Sequence, residues 1–369
     1  MSPAAELVAI RVAYVALVVV SVLWRPGHVV LHAWGPFGDL VFGPFARWDA
    51  GWFVAIARHG YENHQSAAFF PLYPLVVRAV GFVLRSDVAA GVLVSLASAA
   101  GAAAFLARLP RGRAAVTLLA LYPLAFVFTA PYSDALFLLV AIAAFDAARR
   151  GRPLAAGVLG GLAVATRLLG LALLPALVLL LWRRGPRALA PLLLLPAALG
   201  AYMLYLHEHL GDWLAFAHAE GVYWLRHTPP GGPFQGVFDA FRSGEQGLAQ
   251  LVLHLPAGRY GAAEQFAIWN VVFLALLLVA CWLTWEAWRR LGAAYGLYSA
   301  ATLVIVLSSP ANVVPLVSLP RFLLADFPLF LALAAVLADR PRARRIVVDA
   351  FAAVGAVAAV AFARGNWVP

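Results

Sequence analysis

Long apolar segments alternate with short polar ones along the whole 369-residue chain. The apolar runs cover 8–24, 88–107, 114–130, 132–148, 154–182, 188–206, 265–283, 293–309, 322–338 and 346–363, with a less clear run at 69–84. A helix that crosses a bilayer needs roughly 20 mostly apolar residues. The pattern therefore predicts an all-α polytopic membrane protein, with residues 1–369 forming a single membrane domain.

Composition supports this class. The chain is 64% apolar and 12% charged, with a mean hydropathy of +0.86, whereas soluble domains are about 45–50% apolar and about 25% charged. A water-soluble enzyme is excluded. The run 8–24 is followed by no small-residue cleavage site, so we expect a retained first span rather than a cleaved signal.

The positive charge is clustered between the apolar runs. All 27 basic residues are arginines, and the net charge is +10. Fifteen of them form five clusters: Arg108/Arg111/Arg113, Arg149/Arg150/Arg152, Arg183/Arg184/Arg187, Arg289/Arg290 and Arg340/Arg342/Arg344/Arg345. This is the distribution of cytoplasmic loops, and it argues against a nucleic-acid partner. The Arg- and Ala-rich composition favours a bacterial plasma membrane.

The clusters also fix a predicted topology. If every arginine cluster is on the cytoplasmic side of the membrane, 114–148 and 154–182 become hairpins that turn on the outer side. The loops 25–68 and 207–264 then both face the outer side. The run 69–84 then enters the membrane without crossing it. We predict about 11 transmembrane helices, interfacial or re-entrant helices in the first outer loop, and the C-terminus outside.

The polar side chains concentrate in the two outer loops. All nine histidines and nine of the 17 acids lie there, so we expect the chemistry outside. The His207-Glu208-His209 segment and His218/Glu220 contain metal-ligand types, but their spacing fits no zinc pattern. We therefore predict no metal site.

The first outer loop contains RWDAGWFVAIARHGY (47–61), followed by AFFPLYP (68–74). Trp48, Trp52 and Ile56 share one face of a predicted helix, which would suit the membrane surface. Asp49 stands at the start of this helix. It can serve as an N-cap or as a general base at the lipid–water boundary, and the two roles are compatible.

These two segments resemble the PIG-V type of mannosyltransferase, a family of GT-C glycosyltransferases. Three more segments match in order: PYSDALFLL (131–139), ATRLLGL (165–171) and PRFLLADFPLF (320–330). The resemblance implies a GT-C fold, a lipid-phosphate sugar donor and Asp49 as the base. Two departures concern the acceptor contacts: Asp134 replaces a more usual Glu, and Leu168-Leu169 replaces a polar pair.

Arginines in the matching segments are candidate phosphate ligands. Arg167 lies between two apolar half-helices, where a charge costs about 2.5–3.5 kcal/mol, and a guanidinium binds phosphate bidentately. The alternatives are snorkelling or a pair with Asp134 or Asp326. Arg321 is either a second phosphate ligand or an interface anchor.

The remaining candidates are substrate-binding side chains. They are Trp48, His59, Tyr61, Phe70, Tyr73, Tyr132, Ser133 and Asp134. The rings of AFFPLYP would shape the donor entrance, whereas Tyr132, Ser133 and Asp134 would bind sugar or phosphate, or merely cap a turn. His59 could equally be an interfacial ring with one wet edge.

Taken with the resemblance, these residues predict a mannosyltransferase that uses a polyprenyl-phosphate donor and a lipid-linked or surface glycan acceptor, surrounded by membrane lipids. Asp49 would act as base with inversion at the sugar. No cofactor is required, and the chemistry leaves room for a divalent cation. The rival hypothesis is a transporter or flippase of a lipid-linked saccharide, which would need no base.

Overall fold

The computed structural model describes residues 1–24, 31–254, 258 and 261–368. Three parts of the predicted outer loops, 25–30, 255–257 and 259–260, lie outside the described residues. The described chain is helical, with one isolated β-bridge between Arg226 and Ala311 as its only extended pairing. This confirms the predicted all-α class.

The helices follow one another in this order: α1 Pro3–Trp24, α2 Gly35–Val41, α3 Asp49–His59, α4 Leu72–Leu84, α5 Asp87–Leu106, α6 Gly112–Leu121, α7 Asp134–Arg149, α8 Pro153–Thr166, α9 Leu173–Leu181, α10 Pro186–Leu189, α11 Leu194–Leu210, α12 Ala215–Tyr223, α13 Gly232–His254, α14 Ala262–Leu291, α15 Ala293–Leu307, α16 Leu319–Ala325, α17 Phe327–Val336 and α18 Pro341–Ala363. Six 3₁₀ helices connect them: Gly43–Phe45, His64–Ala68, Ala125–Thr129, Leu168–Ala172, Trp182–Arg184 and Ala190–Leu193.

Five helical segments are long and apolar enough to cross a bilayer on their own. They are α1, α5, Pro186–Leu210, α14 and α18. The pair α16–α17 passes the same test but is bent by 81°. A polytopic architecture is confirmed. The number of spans predicted from the sequence, about 11, is larger because several apolar runs are divided in the structure. The run 114–130 becomes α6 and the 3₁₀ helix Ala125–Thr129, and the run 154–182 becomes α8 and α9 with the 3₁₀ helix Leu168–Ala172 between them.

Helix α7 lies in the centre of the molecule. Fourteen of its sixteen residues are buried, and it packs against α5, α8 and α9. By contrast, only 22–28% of the 18-residue apolar stretch in each of α1, α14 and α18 is buried inside the protein. Their outer faces carry large apolar side chains, which is what a lipid-facing surface requires. Side chains at either end of α7 are therefore held in a rigid interior.

The second predicted hairpin is present and turns at Arg167. Helix α8 ends at Thr166, and Gly170 packs against the preceding helix so closely that a Cβ there would lie 2.4 Å from the Val164 nitrogen. At the other end, a Cβ on Gly151 would meet the Arg184 guanidinium. The arginine clusters that precede α8 and follow α9 are thus neighbours, as the topology prediction requires.

Small residues allow α8 to pack tightly. A Cβ on Gly157 would lie 2.2 Å from the Pro191 carbonyl oxygen, and one on Gly160 would lie 2.7 Å from Leu195. The Ala156/Gly160 and Gly157/Gly161 pairs in the sequence are therefore helix-packing positions.

Helix α4 corresponds to the unclear run 69–84. It has 13 residues, about 20 Å of helix, which is less than the roughly 30 Å hydrocarbon core. The chain turns at Arg85 in the left-handed conformation (φ 58°) directly into α5, whose N-cap is Ser86. This short helix is in keeping with a segment that does not cross.

The two predicted outer loops pack against each other. The Tyr202 hydroxyl donates to the Ala67 carbonyl at 2.8 Å, and the Phe70 and Phe216 rings lie 5.7 Å apart. Helix α12 rests on the 3₁₀ helix His64–Ala68. This contact between the loops closes one side of the cavity described next.

Candidate active site

A cavity of about 530 Å³ opens where the N-terminal ends of α3, α7 and α16 meet the C-terminal end of α8. Most of its wall is aromatic or aliphatic, and a few charged side chains converge on it. Ligand pockets typically have this size and this mixture. Five of the charged residues described below line it: Asp49, Arg167, Glu220, Arg226 and Arg321.

Asp49 is the first residue of α3, and Trp48 occupies the N-cap position. Trp48 has a φ of 55°, which is rare for a bulky residue and is common at functional sites. The Asp49 carboxylate accepts a hydrogen bond from Nη1 of Arg321. The structure therefore places Asp49 in an ion pair at the cavity wall, and not in the N-cap position that the sequence left open.

Arg321 lies in α16 and forms a fork with Asp134. Its Nε donates to the two Asp134 oxygens at 3.1 and 3.0 Å, and its Nη2 donates at 2.8 Å. The guanidinium also lies over the Tyr132 ring, 4.5 Å from the centroid. Tyr132 and Asp134 from one chain segment and Asp49 from another thus fix its orientation.

Arg167 uses the same carboxylate. Its Nη1 donates to Asp134 Oδ1, and its guanidinium lies 5.6 Å from the Phe322 ring centroid. The Asp134 side chain is 1% exposed, and that of Arg167 is 15% exposed. Of the alternatives raised from sequence, the pair with Asp134 is present, whereas Asp326 accepts from Ser299 at 2.6 Å instead.

The resulting cluster contains two carboxylates and two guanidiniums, so its formal charges balance. Removing one partner from a buried pair leaves an uncompensated charge and costs about 3–5 kcal/mol. Asp134 stands behind the two arginines, which themselves reach the cavity. Asp134 itself is not among the residues that line the cavity, so the structure does not bring it to the wall as it does the two arginines.

Four further predicted residues line the cavity: Trp48, Phe70, Tyr132 and Ser133. Three others do not. Tyr73 is fully buried and bonds Gly91 and Ser95, and Tyr61 donates to the Phe69 carbonyl at 2.5 Å. These tyrosines support the wall from behind. His59 is exposed at the C-terminal end of α3, remote from the cluster at its first turn.

The apolar stripe of α3 packs differently from the predicted surface helix. Ile56 is buried, and Trp52 stacks on Phe69 with centroids 5.9 Å apart. Only Trp48 is half exposed. Helices α4 and α5 cover this face, so the stripe holds Asp49 against the protein.

Sequence reasoning missed the contribution of the second loop. Glu220 at α12 and Arg226 form an ion pair at 3.4 Å, and Trp224 lies beside them in the cavity wall. Burial raises the pKa of Glu220, with Arg226 opposing and Asp49 reinforcing the rise. Burial also lowers the pKa of Arg226. The available signal was one isolated arginine among the aromatic residues of that loop.

No group of three or more potential metal ligands occurs within residues 1–24, 31–254, 258 and 261–368. The acids at the cavity are bound to arginines rather than to one another. The arginine donors at the cavity suit a phosphate-bearing substrate better than a cation.

The cavity thus combines paired arginines, a carboxylate and aromatic rings, which are groups that suit a ligand with a phosphate and an apolar part. Residues 38–190 match the family model described as mannosyltransferase (PIG-V). This match over residues 38–190 agrees with the resemblance that the sequence motifs indicated. The matching part contains Asp49, Asp134 and Arg167 but neither Arg321 nor Glu220.

Curated relatives agree with this assignment. GPI alpha-1,6-mannosyltransferase 2 of Rattus norvegicus is 34% identical over 36% of this chain and 31% of its own length. The proteins of the same name from Mus musculus and Cricetulus griseus are 34% and 32% identical over 36% of this chain and 30% of theirs. The chain thus matches about a third of the length of these relatives. No solved structure matches it.

Proposed function

We propose that this protein transfers mannose from a polyprenyl-phosphate carrier to a hydroxyl of a lipid-linked or surface glycan. The family of residues 38–190 supports mannosyl transfer. The observation that carries the proposal is the convergence of Asp49 and Asp134 on Arg321 at the cavity wall. A candidate base and two phosphate-binding arginines thereby share one site.

The arginines would receive the donor phosphate. Arg167 and Arg321 both reach the cavity, and their orientation is fixed by Asp134. As the bond between the anomeric carbon and the phosphate oxygen breaks, negative charge grows on the leaving polyprenyl phosphate. Preorganised guanidiniums stabilise that charge without reorganising.

Asp49 would act on the acceptor. The acceptor oxygen attacks the anomeric carbon from the side opposite the phosphate, and this attack inverts the sugar centre. The proton of the acceptor hydroxyl passes to the Asp49 carboxylate. Arg321 holds the Asp49 carboxylate at the cavity wall before the reaction. Once phosphate competes for Arg321, the carboxylate is free to accept the proton.

We also assign the site to the extracytoplasmic side of a bacterial plasma membrane. Helix α7 begins at Asp134 and ends at Arg149, and α8 begins after Arg152 and ends before Arg167. The cavity and the Arg149/Arg150/Arg152 cluster therefore lie at opposite ends of both helices. Arginine-rich ends favour the cytoplasm, which supports a cavity facing outward.

Purified protein in nanodiscs tests the proposal with radiolabelled polyprenyl-phosphate mannose and a native lipid extract. We expect a new labelled lipid from the wild type. Asp49→Asn should reduce transfer about 10²–10⁴-fold, the usual cost of losing a general base. Glu62→Gln, an exposed acid of the same loop, is the matched control.

Binding of farnesyl phosphate separates the base from a purely structural partner of Arg321. If Asp49 is the base, Asp49→Asn keeps phosphate affinity within a few-fold while transfer is lost. Equal losses of affinity and transfer would mean that Asp49 acts only by holding Arg321. Wild-type protein that binds the donor but never transfers mannose would favour the flippase alternative.

A further inference from the structure

Glu220 presents a carboxylate to the cavity without being satisfied by the protein. Its Oε2 lies 3.4 Å from Arg226 Nε, and its other oxygen has no hydrogen-bond partner among residues the structure describes. The side chain is 42% exposed. That exposed part belongs to the cavity wall, so a ligand in the cavity can reach it.

Arg226 is held in a fixed orientation by the protein. Its Nη1 donates to the Ser309 carbonyl and its Nη2 to the Val317 carbonyl, both at 2.9 Å. With Nε turned to Glu220, each nitrogen of the guanidinium has a protein partner. Arg226 therefore holds Glu220 in place, and the carboxylate is the group available for recognition.

Aromatic rings stand beside this carboxylate. Trp224 and Phe69 line the same cavity and contact each other edge to face, with centroids 5.5 Å apart. Tyr223 adds a third ring to the wall. Flat aromatic faces next to a rigid hydrogen-bond acceptor bind molecules that have both apolar C–H faces and hydroxyl groups.

Two groups of charged side chains reach the cavity: the arginine end, Arg167 and Arg321, and the Glu220 end, Glu220 with Arg226. The arginine end attracts a phosphate, whereas the charge of Glu220 is balanced by Arg226. Hydroxyl groups, by contrast, donate strong hydrogen bonds to a carboxylate. The Glu220 end thus suits a neutral sugar, and the arginine end suits a phosphate.

We propose that Glu220 and Trp224, with Trp224 packed against Phe69, form the acceptor subsite, which binds a neutral sugar ring by hydroxyl–carboxylate hydrogen bonds and by stacking on Trp224. The inference rests on the proposed transferase function and names the part of that site that selects the acceptor. Glu220 and Trp224 lie outside the family-matched residues 38–190. The subsite is therefore a place where this chain can differ from the matched relatives in the acceptor it takes.

Binding measurements test the subsite without requiring catalysis. Full-length protein in nanodiscs is titrated with octyl α-mannoside and octyl β-glucoside below their micellar concentrations, with 1-octanol as the probe that lacks a sugar. Farnesyl phosphate reports the arginine end. We expect Glu220→Gln to weaken binding of the tighter octyl glycoside about 10- to 100-fold, as loss of a charge-assisted hydrogen bond predicts.

Farnesyl phosphate affinity should stay within about twofold in the same variant, and Trp224→Leu should weaken only the glycoside. Glu208→Gln, an exposed acid in the same outer loop, is the control and should change neither. Thermal unfolding of each variant confirms that it is folded. If Glu220 merely supports Arg226, Glu220→Gln lowers the unfolding temperature and leaves glycoside affinity unchanged, which overturns the subsite.

The two proposals fail in different ways. Wild-type protein that binds the glycoside through Glu220 but transfers no mannose retains the subsite and loses the transferase. Wild-type protein that transfers mannose, with an acceptor KM unaffected by Glu220→Gln, retains the transferase and loses the subsite. Glycoside binding no tighter than that of 1-octanol also overturns the subsite.

Discussion

Asp134 holds Arg321 by three hydrogen bonds of 2.8 to 3.1 Å, although 187 residues separate them in the chain. The same carboxylate binds Arg167. One fully buried acid therefore sets the spacing of the two arginines that reach the cavity. Both oxygens of Asp134 are occupied by these bonds. We therefore expect Asp134 to act on a substrate only through Arg167 and Arg321.

Replacing Asp134 should therefore disturb phosphate binding and stability together. In Asp134→Asn the two guanidiniums lose their common counter-charge, and we expect a destabilisation of about 3–5 kcal/mol and a much higher donor KM. Asp134→Glu restores the charge and should recover most phosphate affinity. Farnesyl phosphate titration and thermal unfolding measure both effects. Unchanged affinity in a folded Asp134→Asn protein would refute the positioning role.

Arg167 should depend on its shape as well as its charge. Arg167→Lys keeps the positive charge but loses the planar fork, so we expect donor kcat/KM to fall at least about tenfold while the protein is still produced. Arg242→Lys, an exposed change on α13, is the control. Near-normal kinetics of Arg167→Met would show that no phosphate is bound there.

The tight approach at Gly157 predicts a stability difference between two glycines. Gly157→Ala places a Cβ 2.2 Å from a backbone oxygen, and such overpacking costs about 1–3 kcal/mol. At Gly200, in α11, nothing lies within 4 Å of the added Cβ, so Gly200→Ala should be neutral or stabilising by up to about 1 kcal/mol. Thermal unfolding in the same detergent compares them. Equal unfolding midpoints for Gly157→Ala and Gly200→Ala would contradict the close contact between α8 and the segment at Pro191.

The orientation of the cavity is tested with single cysteines in a Cys281→Ala background. Thr228 lies in the second outer loop and Arg187 in an arginine cluster, and both are exposed. We expect a membrane-impermeant thiol reagent added to intact cells to label Thr228→Cys only. After the cells are opened, Arg187→Cys should label too. Labelling of Arg187→Cys in sealed cells would reverse the orientation.

Glycoside binding should depend on pH through Glu220. Burial and Asp49 raise its pKa, while Arg226, Arg167 and Arg321 oppose the rise. For an acid with a raised pKa, the carboxylate form is present above that pKa and is lost as the pH falls through it, at a higher pH than for an ordinary Glu.

We therefore expect octyl glycoside affinity to decrease from neutral pH toward mildly acidic pH in the wild type, as measured by titration in nanodiscs. Glu220→Gln has no group to protonate at this position, so its weaker affinity should be independent of pH over that range. If the pH dependence of glycoside affinity were the same in the wild type and in Glu220→Gln, Glu220 would be excluded as the titrating group.

The sequence alone determined the helical class, the neighbouring arginine clusters and the segments that carry Asp49, Arg167 and Arg321. These features are local: apolar run length, charge between runs and short motifs are readable without knowing which segments touch. The turn at Arg167 followed from the same information. Its position depends only on where an apolar run is interrupted.

Tertiary structure decided which of those side chains meet. Asp49 and Arg321 are 272 positions apart, and no periodicity relates residues so distant. The packing of α7 in the centre placed Asp134 against two arginines, and the packing of α4 on α5 buried Tyr73. Glu220 joined the cavity because α12 rests on the first loop, a contact that depends on how complementary surfaces fit rather than on the local sequence of either.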